Sequence, residues 1–370
     1  MKILFVFADN PKEWNCSQWR CINIVEAINR AGGEDQAQAL AFPEFIEKSG
    51  KSIELVGWTD VIVLERLMLG NTVPRMLECL ALGKVLVGDV DDSYHYMSAA
   101  CNAYKFWHDG LIVVPDEKGQ PRQAKMNIPP IEQLGWGMKI LHAITSPSAK
   151  LLQDWSAYNT NVVLAPNYIL SSAYLPFRRP VSHTPKEREE RFIIGWGGSF
   201  SHLESWTNSG VIEGLKMVCQ KHPNVLIKVA GGDPRVPEAI NLPGRVISTG
   251  WTPWQEWPKA LVEYDLGLIP LSGAYDDRRS WIKALEFTLM GIPWVGSKMI
   301  PTEDFADYGT RVKNVPTVWA KAIEAIIENY DAAKAKVDSG MELAMSKDID
   351  KNVPNIIQMY KDIYKKARGE

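Results

Sequence analysis

"SWIKALEFTLMGIPWVGS", residues Ser280–Ser297, has the make-up of an amphipathic helix, a glycine stop, a proline and a short apolar strand. At about 100° per residue, Trp281, Ala284, Leu285 and Leu289 fall on one stripe. Lys283 lies opposite that stripe, and Glu286 sits about 60° from Lys283, on the flank. Ser280 is placed to cap the helix start, which sets Arg279 beside its free N–H groups. Spacing alone leaves two readings open. The pair is either a solvated i,i+3 couple, worth roughly 0.2–0.5 kcal/mol, or a phosphate contact and a ribose clamp.

The surrounding pattern repeats this helix-and-strand alternation. In the first half, "KILFVFAD" (2–9), "DVIVLER" (60–66), "KVLVGDVD" (84–91), "GLIVVPD" (110–116), "AITSP" (143–147) and "VVLAP" (162–166) read as strands, with helical stretches at 17–31, 72–82, 130–141 and 148–157. The segment 176–190, "PFRRPVSHTPKEREE", has three prolines and no apolar period, which marks a linker. The alternation restarts with "FIIGWGG" (192–198), "VLIKVAGG" (225–232), "RVIST" (245–249) and "DLGLIPL" (265–271), and the chain turns helical from about 317. Continuous apolar strands separated by helices imply parallel sheets covered on both faces. The expected fold is therefore α/β, with two doubly wound Rossmann-like domains facing a central cleft. The expected boundaries are 1–175, a linker at 176–190, 191–348, and a helix at 349–370 that packs back on the first domain.

Composition narrows the function. The 370 residues carry a formal net charge of −3, so there is no basic footprint for nucleic acid or anionic membrane. The five cysteines have no CxxC or ligand-like spacing, which fits reduced thiols in a cytoplasmic protein. The first residues lack the length and cleavage site of a signal peptide, and no stretch reaches the roughly 18–20 apolar residues of a membrane span.

Several turns carry candidate chemistry. "GWGGSFSH" (195–202) joins a strand to a helix, where glycines admit an anion to backbone N–H groups and tight turns also want glycine for steric reasons. "GDVDDSYHY" (88–96) sets Asp91, Asp92 and His95 after a strand, where they could orient or deprotonate a hydroxyl, cap a turn, or, with Asp89, form a D-x-D metal motif. "PWQEWPKAL" (253–261) puts Trp254 and Trp257 on one helical face, the pattern of core packing.

"SWIKALEFTLMGIPWVGS", with "FIIGWGGSFSH", "VLIKVAGG", "GRVISTGWTPWQEWPKAL" and "YDLGLIPL" in that order, resembles the donor domain of GT-B glycosyltransferases, particularly the retaining family 4 type. "HAITSPSAKLLQDW" and "VVLAPNYI" are similar to the end of that family's first domain. The resemblance implies transfer of a sugar from a nucleotide-sugar, a UDP- or GDP-sugar, to an acceptor hydroxyl, with retention and with neither metal nor cofactor. It implies donor contacts at Gly197, Gly198, Ser199, Trp251, Arg279, Ser280, Lys283 and Glu286, and acceptor or phosphate contacts at Arg20 and His202. Position 278 departs from the family, with Arg278 where the E-x7-E pattern has its first glutamate. The acceptor is left open among a glycan, a lipid-linked molecule, a small molecule and a modified DNA base. A sugar-nucleotide epimerase of the same fold and a non-catalytic nucleotide-sugar binder are the other classes.

Overall fold

The computed structural model describes residues 1–10, 16–181 and 183–370. The chain forms two compact units: Met1–Tyr168 with Ile349–Glu370, and Ile169–Asp348.

The first unit is built on a six-stranded parallel sheet of β1 (Lys2–Phe7), β2 (Gln36–Ala41), β3 (Val61–Glu65), β4 (Val85–Asp89), β7 (Ala143–Ser146) and β8 (Val162–Leu164). The strand order is β2-β1-β3-β4-β7-β8. β3 and β4 are buried along their whole lengths, as a sheet covered on both faces requires. β2 was not legible as a strand. "QAQALA" alternates small and polar residues at a sheet edge, with no apolar run to mark it.

"GLIVVPD" is corrected by the structure. β5 (Leu111–Pro115) pairs antiparallel with β6 (Pro121–Lys125) in a separate ribbon, outside the main sheet. The turn between them is fastened by Asp116, whose Oδ1 accepts from the Lys118 and Gln120 amides at 2.8 Å each. A strand followed by Asp116 and Gly119, one and four residues past its end, is a hairpin signal, and here it outweighs the apolar run.

The helix Ile349–Arg368 belongs to the first unit. Its Tyr360 ring meets Phe5 edge-on at 5.7 Å, and Lys361 and Asp350 bond Asp35 and Arg30 at 2.8 and 2.7 Å. It packs against the helix Asn23–Ala31, which ends at Gly32 in the left-handed region (φ 70°).

The second unit has its own six-stranded parallel sheet: β9 (Phe192–Gly198), β10 (Val225–Gly231), β11 (Val246–Gly250), β12 (Leu266–Ile269), β13 (Trp294–Ser297) and β14 (Thr310–Val312), ordered β11-β10-β9-β12-β13-β14. Trp206, Leu215, Trp319 and Ile323 from flanking helices pack on one face of it. The stretch 203–221 forms two helices, Leu203–Asn208 and Val211–Lys221, separated at Gly210 (φ 79°). Residues 176–190, with position 182 outside the described residues, lie within this unit. They contain a helix, Pro185–Glu190, closed by a Thr184/Glu187 capping box. Arg178 and His183 anchor the same stretch to Asp338 and Asp265 at 2.6 and 2.9 Å.

Among the described residues, no helix is long and apolar enough to cross a membrane.

Candidate functional site

In an open parallel sheet, ligands bind beyond the carboxyl ends of the strands, where the chain reverses its direction of strand addition. In the second unit that point lies between β9, followed by β10 and β11 on one side, and β12 on the other. β9 ends at Gly197-Gly198 and leads into Ser199–His202. β12 leads into the loop that carries Arg279 and then the helix Ile282–Met290, with Lys283 and Glu286. Two segments far apart in the chain thus meet at one strand-end rim.

Glu286 is only 5% exposed. Its Oε1 accepts from the Tyr174 hydroxyl at 2.7 Å and from Trp257 Nε1 at 2.9 Å. Burial raises its carboxyl above the usual range, while Tyr174, Lys283 and Trp257 pull the other way. Lys283 Nζ donates to the Gly197 carbonyl at 2.6 Å and lies 5.5 Å from the Trp196 ring centroid. Burial pushes Lys283 down to about 8, with Glu286 opposing and Arg279 reinforcing. The two are therefore no surface ion pair.

Arg279 donates from Nε to Asp276 at 2.7 Å and from Nη2 to Ser201 Oγ at 2.8 Å. Asp276 is itself fixed by the Ser272 amide at 2.7 Å and the Ser205 hydroxyl at 2.6 Å. Ser199 Oγ lies 3.2 Å from Ser201 Oγ. His202 is buried edge-on to Trp196, and burial, Arg279 and Lys283 hold it well below its ordinary pKa, hence neutral. Two cations, a neutral imidazole, two hydroxyls and a buried carboxylate share this rim. That donor set suits an anion flanked by a diol.

Other expected positions fall differently. The helix begins at Ile282, so Trp281 occupies the N-cap and Ser280 stands one residue outside it, with no side-chain cap. Trp251 follows the edge strand β11 and is 39% exposed. Arg278 Nη1 bonds the Ala274 carbonyl at 2.9 Å, closing the one-turn helix Gly273–Asp276. Tyr174, Trp257, Asp276 and Ser201 were missed as site residues. Trp257 lies in a pattern that reads as core packing, and Tyr174 lies 112 positions from Glu286, beyond any local pattern.

The two glycines have a packing reason. A Cβ on Gly197 would stand 2.2 Å from Trp257 Cη2, and one on Gly198 would stand 2.4 Å from Trp196 Cζ2. Gly197→Ala must therefore displace the indole that bonds Glu286. We expect it to lower stability by about 1–3 kcal/mol and to weaken nucleotide binding. Adding Trp257→Phe, which opens the space, should restore the melting temperature without restoring the lost hydrogen bond. An unchanged melting temperature in Gly197→Ala alone would contradict this.

In the first unit, Arg20 sits in a π-helical turn, Gln18–Ile22, and is 3% exposed. It grips Asp89 through Nε (2.8 Å) and Nη2 (2.6 Å), while Nη1 bonds the Ala165 carbonyl and Asn167 Oδ1 at 2.7 and 2.8 Å. Thr145 Oγ1 adds a 2.6 Å bond to Asp89. All three guanidinium nitrogens serve the protein, and Asp89 is spent in the pair rather than offered to a D-x-D metal site. Asp92 Oδ1 accepts from the Ser93 amide at 3.1 Å, the turn role allowed for it. His95 is exposed, and its Nε2 lies 2.8 Å from the Tyr158 hydroxyl. Partial burial lowers its pKa. Asp91 follows β4 beside the Cys16 thiol.

No protein-family model matches this chain, and no curated protein does. Solved structures do. HepE from Anabaena, in complex with UDP and glucose, is similar over 98% of this chain and 99% of its own, with a TM-score of 0.63 at 13% identity. Sucrose-phosphate synthase from Thermosynechococcus elongatus is similar over the same shares, with a TM-score of 0.62 at 13% identity. A UDP-GlcNAc 2-epimerase from Neisseria meningitidis, bound to UDP-GlcNAc, covers 98% of this chain and 100% of its own at a TM-score of 0.51 and 10% identity. The fold of this chain is GT-B, with two six-stranded parallel sheets.

Proposed function

We propose that this protein is a glycosyltransferase that moves a sugar from a nucleotide-sugar, a UDP- or GDP-sugar, to an acceptor hydroxyl. The second unit holds the donor and the first unit supplies the acceptor side. The observation that carries the reading is the buried Glu286 carboxylate, with Lys283 and Arg279 beside it, at the switch point of the second sheet. HepE, of the same fold, was solved with UDP and glucose.

In this reading Arg279 and Lys283 neutralise the diphosphate and its departing charge, Ser199 and His202 complete the cradle, and Glu286 accepts from the ribose hydroxyls. The protein's contribution is positioning and charge stabilisation, which needs no protein nucleophile and agrees with transfer by retention without a metal. Asp91, Asp92 and His95 in the first unit are the candidates for orienting the acceptor hydroxyl. The test is calorimetric titration with UDP, GDP and ADP, followed by nucleotide release from the matching sugar donors with acceptors added. Failure of all three nucleotides to bind at millimolar concentration would end this reading. Turnover of UDP-GlcNAc without UDP release would move it to epimerisation.

Lys283 sets a pH limit. A bound diphosphate favours the ammonium, so the lysine holds its proton more tightly in the complex than in the free protein. Above a pH of about 8 donor binding must then take up a proton, and kcat/KM for the donor falls as pH rises. Lys283→Arg, which stays charged, should flatten that alkaline limb. A limb unchanged in the variant would remove Lys283 from the phosphate site.

A further inference from the structure

We infer that a groove on the first unit, between the edge strand β2 and the helix Gly50–Trp58, binds a neutral saccharide, away from the strand-end positions described above. The inference goes beyond the transfer reading and does not rest on it.

The groove follows from local sequence. In β2, "QAQALA" turns Gln36 and Gln38 to one face of the sheet and Ala37 and Ala39 to the other. In the helix, Lys51, Glu54, Leu55 and Trp58 recur at helical spacing, so they share one face. Together with the two glutamines they line a cavity of about 360 Å³, within the range of small-molecule sites. Gln36 stands opposite Lys2, the first residue of β1, and Gln38 opposite Leu4. The groove therefore flanks the amino-terminal half of the strands, whereas Asp91, Asp92 and His95 follow the carboxyl end of β4.

Its polar groups are unspent and accessible. Among the described residues, the side chains of Gln36, Gln38, Glu54 and Trp58 make no hydrogen bond to the protein. Lys51 has Glu44 3.9 Å away. Gln36, Gln38, Lys51 and Glu54 are all exposed, so a ligand meets them without any opening of the protein. Lys2 Nζ stands over the Trp58 ring, 5.5 Å from its centroid, but does not line the groove. The rest of the indole does.

The lining chooses the class. Lys51 and Glu54 cancel in charge, so neither an anion nor a cation is selected. The two amides offer donors and acceptors together, as sugar hydroxyls do. An indole beside Leu55 suits the C–H face of a pyranose, with the ring body apolar and its N–H polar. An added peptide strand fits less well, because the sheet edge is closed here. The Gln36 amide donates to the Met1 carbonyl at 3.0 Å, so the backbone of Gln36 faces β1 and that of Ala37 faces outward. The Asn29 side chain occupies both outward groups, donating to the Ala37 carbonyl at 2.9 Å and accepting from its amide at 3.1 Å.

The test titrates maltotriose, cellotriose and triacetylchitotriose into the isotope-labelled full chain, with the anion trigalacturonate as contrast. The readout is the Trp58 indole N–H resonance, assigned by its loss in Trp58→Phe. At least one neutral trisaccharide should shift that resonance saturably, with a Kd on the order of millimolar, and trigalacturonate should bind no more tightly. Saturation-transfer NMR on the sugar should show affinity falling about tenfold in Trp58→Ala. Trp58 is half-buried, so a second variant guards against a folding defect. Gln36→Ala combined with Gln38→Ala changes only exposed side chains, and should weaken the sugar about threefold or more at an unchanged melting temperature. No binding of any neutral trisaccharide at about 10 mM, tighter binding of trigalacturonate, or affinity untouched by both variants would overturn the inference.

Discussion

Glu286→Gln should cut UDP affinity on the order of a hundredfold while the protein stays folded. The amide oxygen can still accept from Tyr174 and Trp257, so the two buried donors keep their partner. The amide nitrogen then stands where the second carboxylate oxygen was, and it cannot accept from a ribose hydroxyl. The charge-assisted bond from the ribose is lost, worth about 1.5–3 kcal/mol, which reaches about a hundredfold. Glu286→Ala should differ in kind. It strands the Tyr174 hydroxyl and the Trp257 N–H in the interior at about 1–3 kcal/mol each, so stability falls together with binding. Tyr174→Phe removes one donor that favours the carboxylate, which shifts the acid limb of donor binding to higher pH. Calorimetry with UDP and thermal melts on the three variants separate these effects. Unchanged UDP affinity in Glu286→Gln would show that this carboxylate is purely structural.

Arg20→Met should destabilise the first unit by roughly 3–5 kcal/mol, because Asp89 is left buried and charged without its cation. For a unit of this size that corresponds to a fall in melting temperature on the order of 10 °C. Combining Arg20→Met with Asp89→Leu removes both charges and should recover most of the loss, since a buried ion pair is worth little against an apolar pair of similar volume. UDP affinity measured below the transition should stay at its wild-type value, because the guanidinium spends its nitrogens on Asp89, Ala165 and Asn167. A single variant as stable as wild type, or a double variant no better than the single, would refute the structural role. A loss of UDP affinity without a loss of stability would restore Arg20 to the phosphate.

The wild-type chain already shows why such positions resist reading. Asp89 and Asp91 are two residues apart on one strand end, and both are acidic. One is sealed by Arg20 from 69 positions away, and the other keeps a buried oxygen with no hydrogen-bond partner among the described residues. Spacing treats them alike, and only the approach of the π-helical turn tells them apart. Likewise, Gly197 and Gly198 read equally well as an anion cradle and as a tight turn. The indoles of Trp257 and Trp196, packed where their Cβ atoms would lie, supply a steric reason that the motif did not contain.

The sequence by itself determined the architecture, because that information is local. Apolar runs such as "KILFVF" and "FIIGWGG", punctuated by helices and glycine stops, can be satisfied only by parallel sheets covered on both faces. β2, β6 and β14 escaped because edge strands of small or polar residues have no such run. Local periodicity also set Lys283 and Glu286 on one side of the helix Ile282–Met290. Whether they face water or a site was decided by Tyr174 and Trp257, 112 and 29 positions away from Glu286, and by the Gly197 carbonyl under Lys283. A carboxylate's burial and its hydrogen-bond partners depend on which distant segments the fold brings against it, and helical spacing records only its own face.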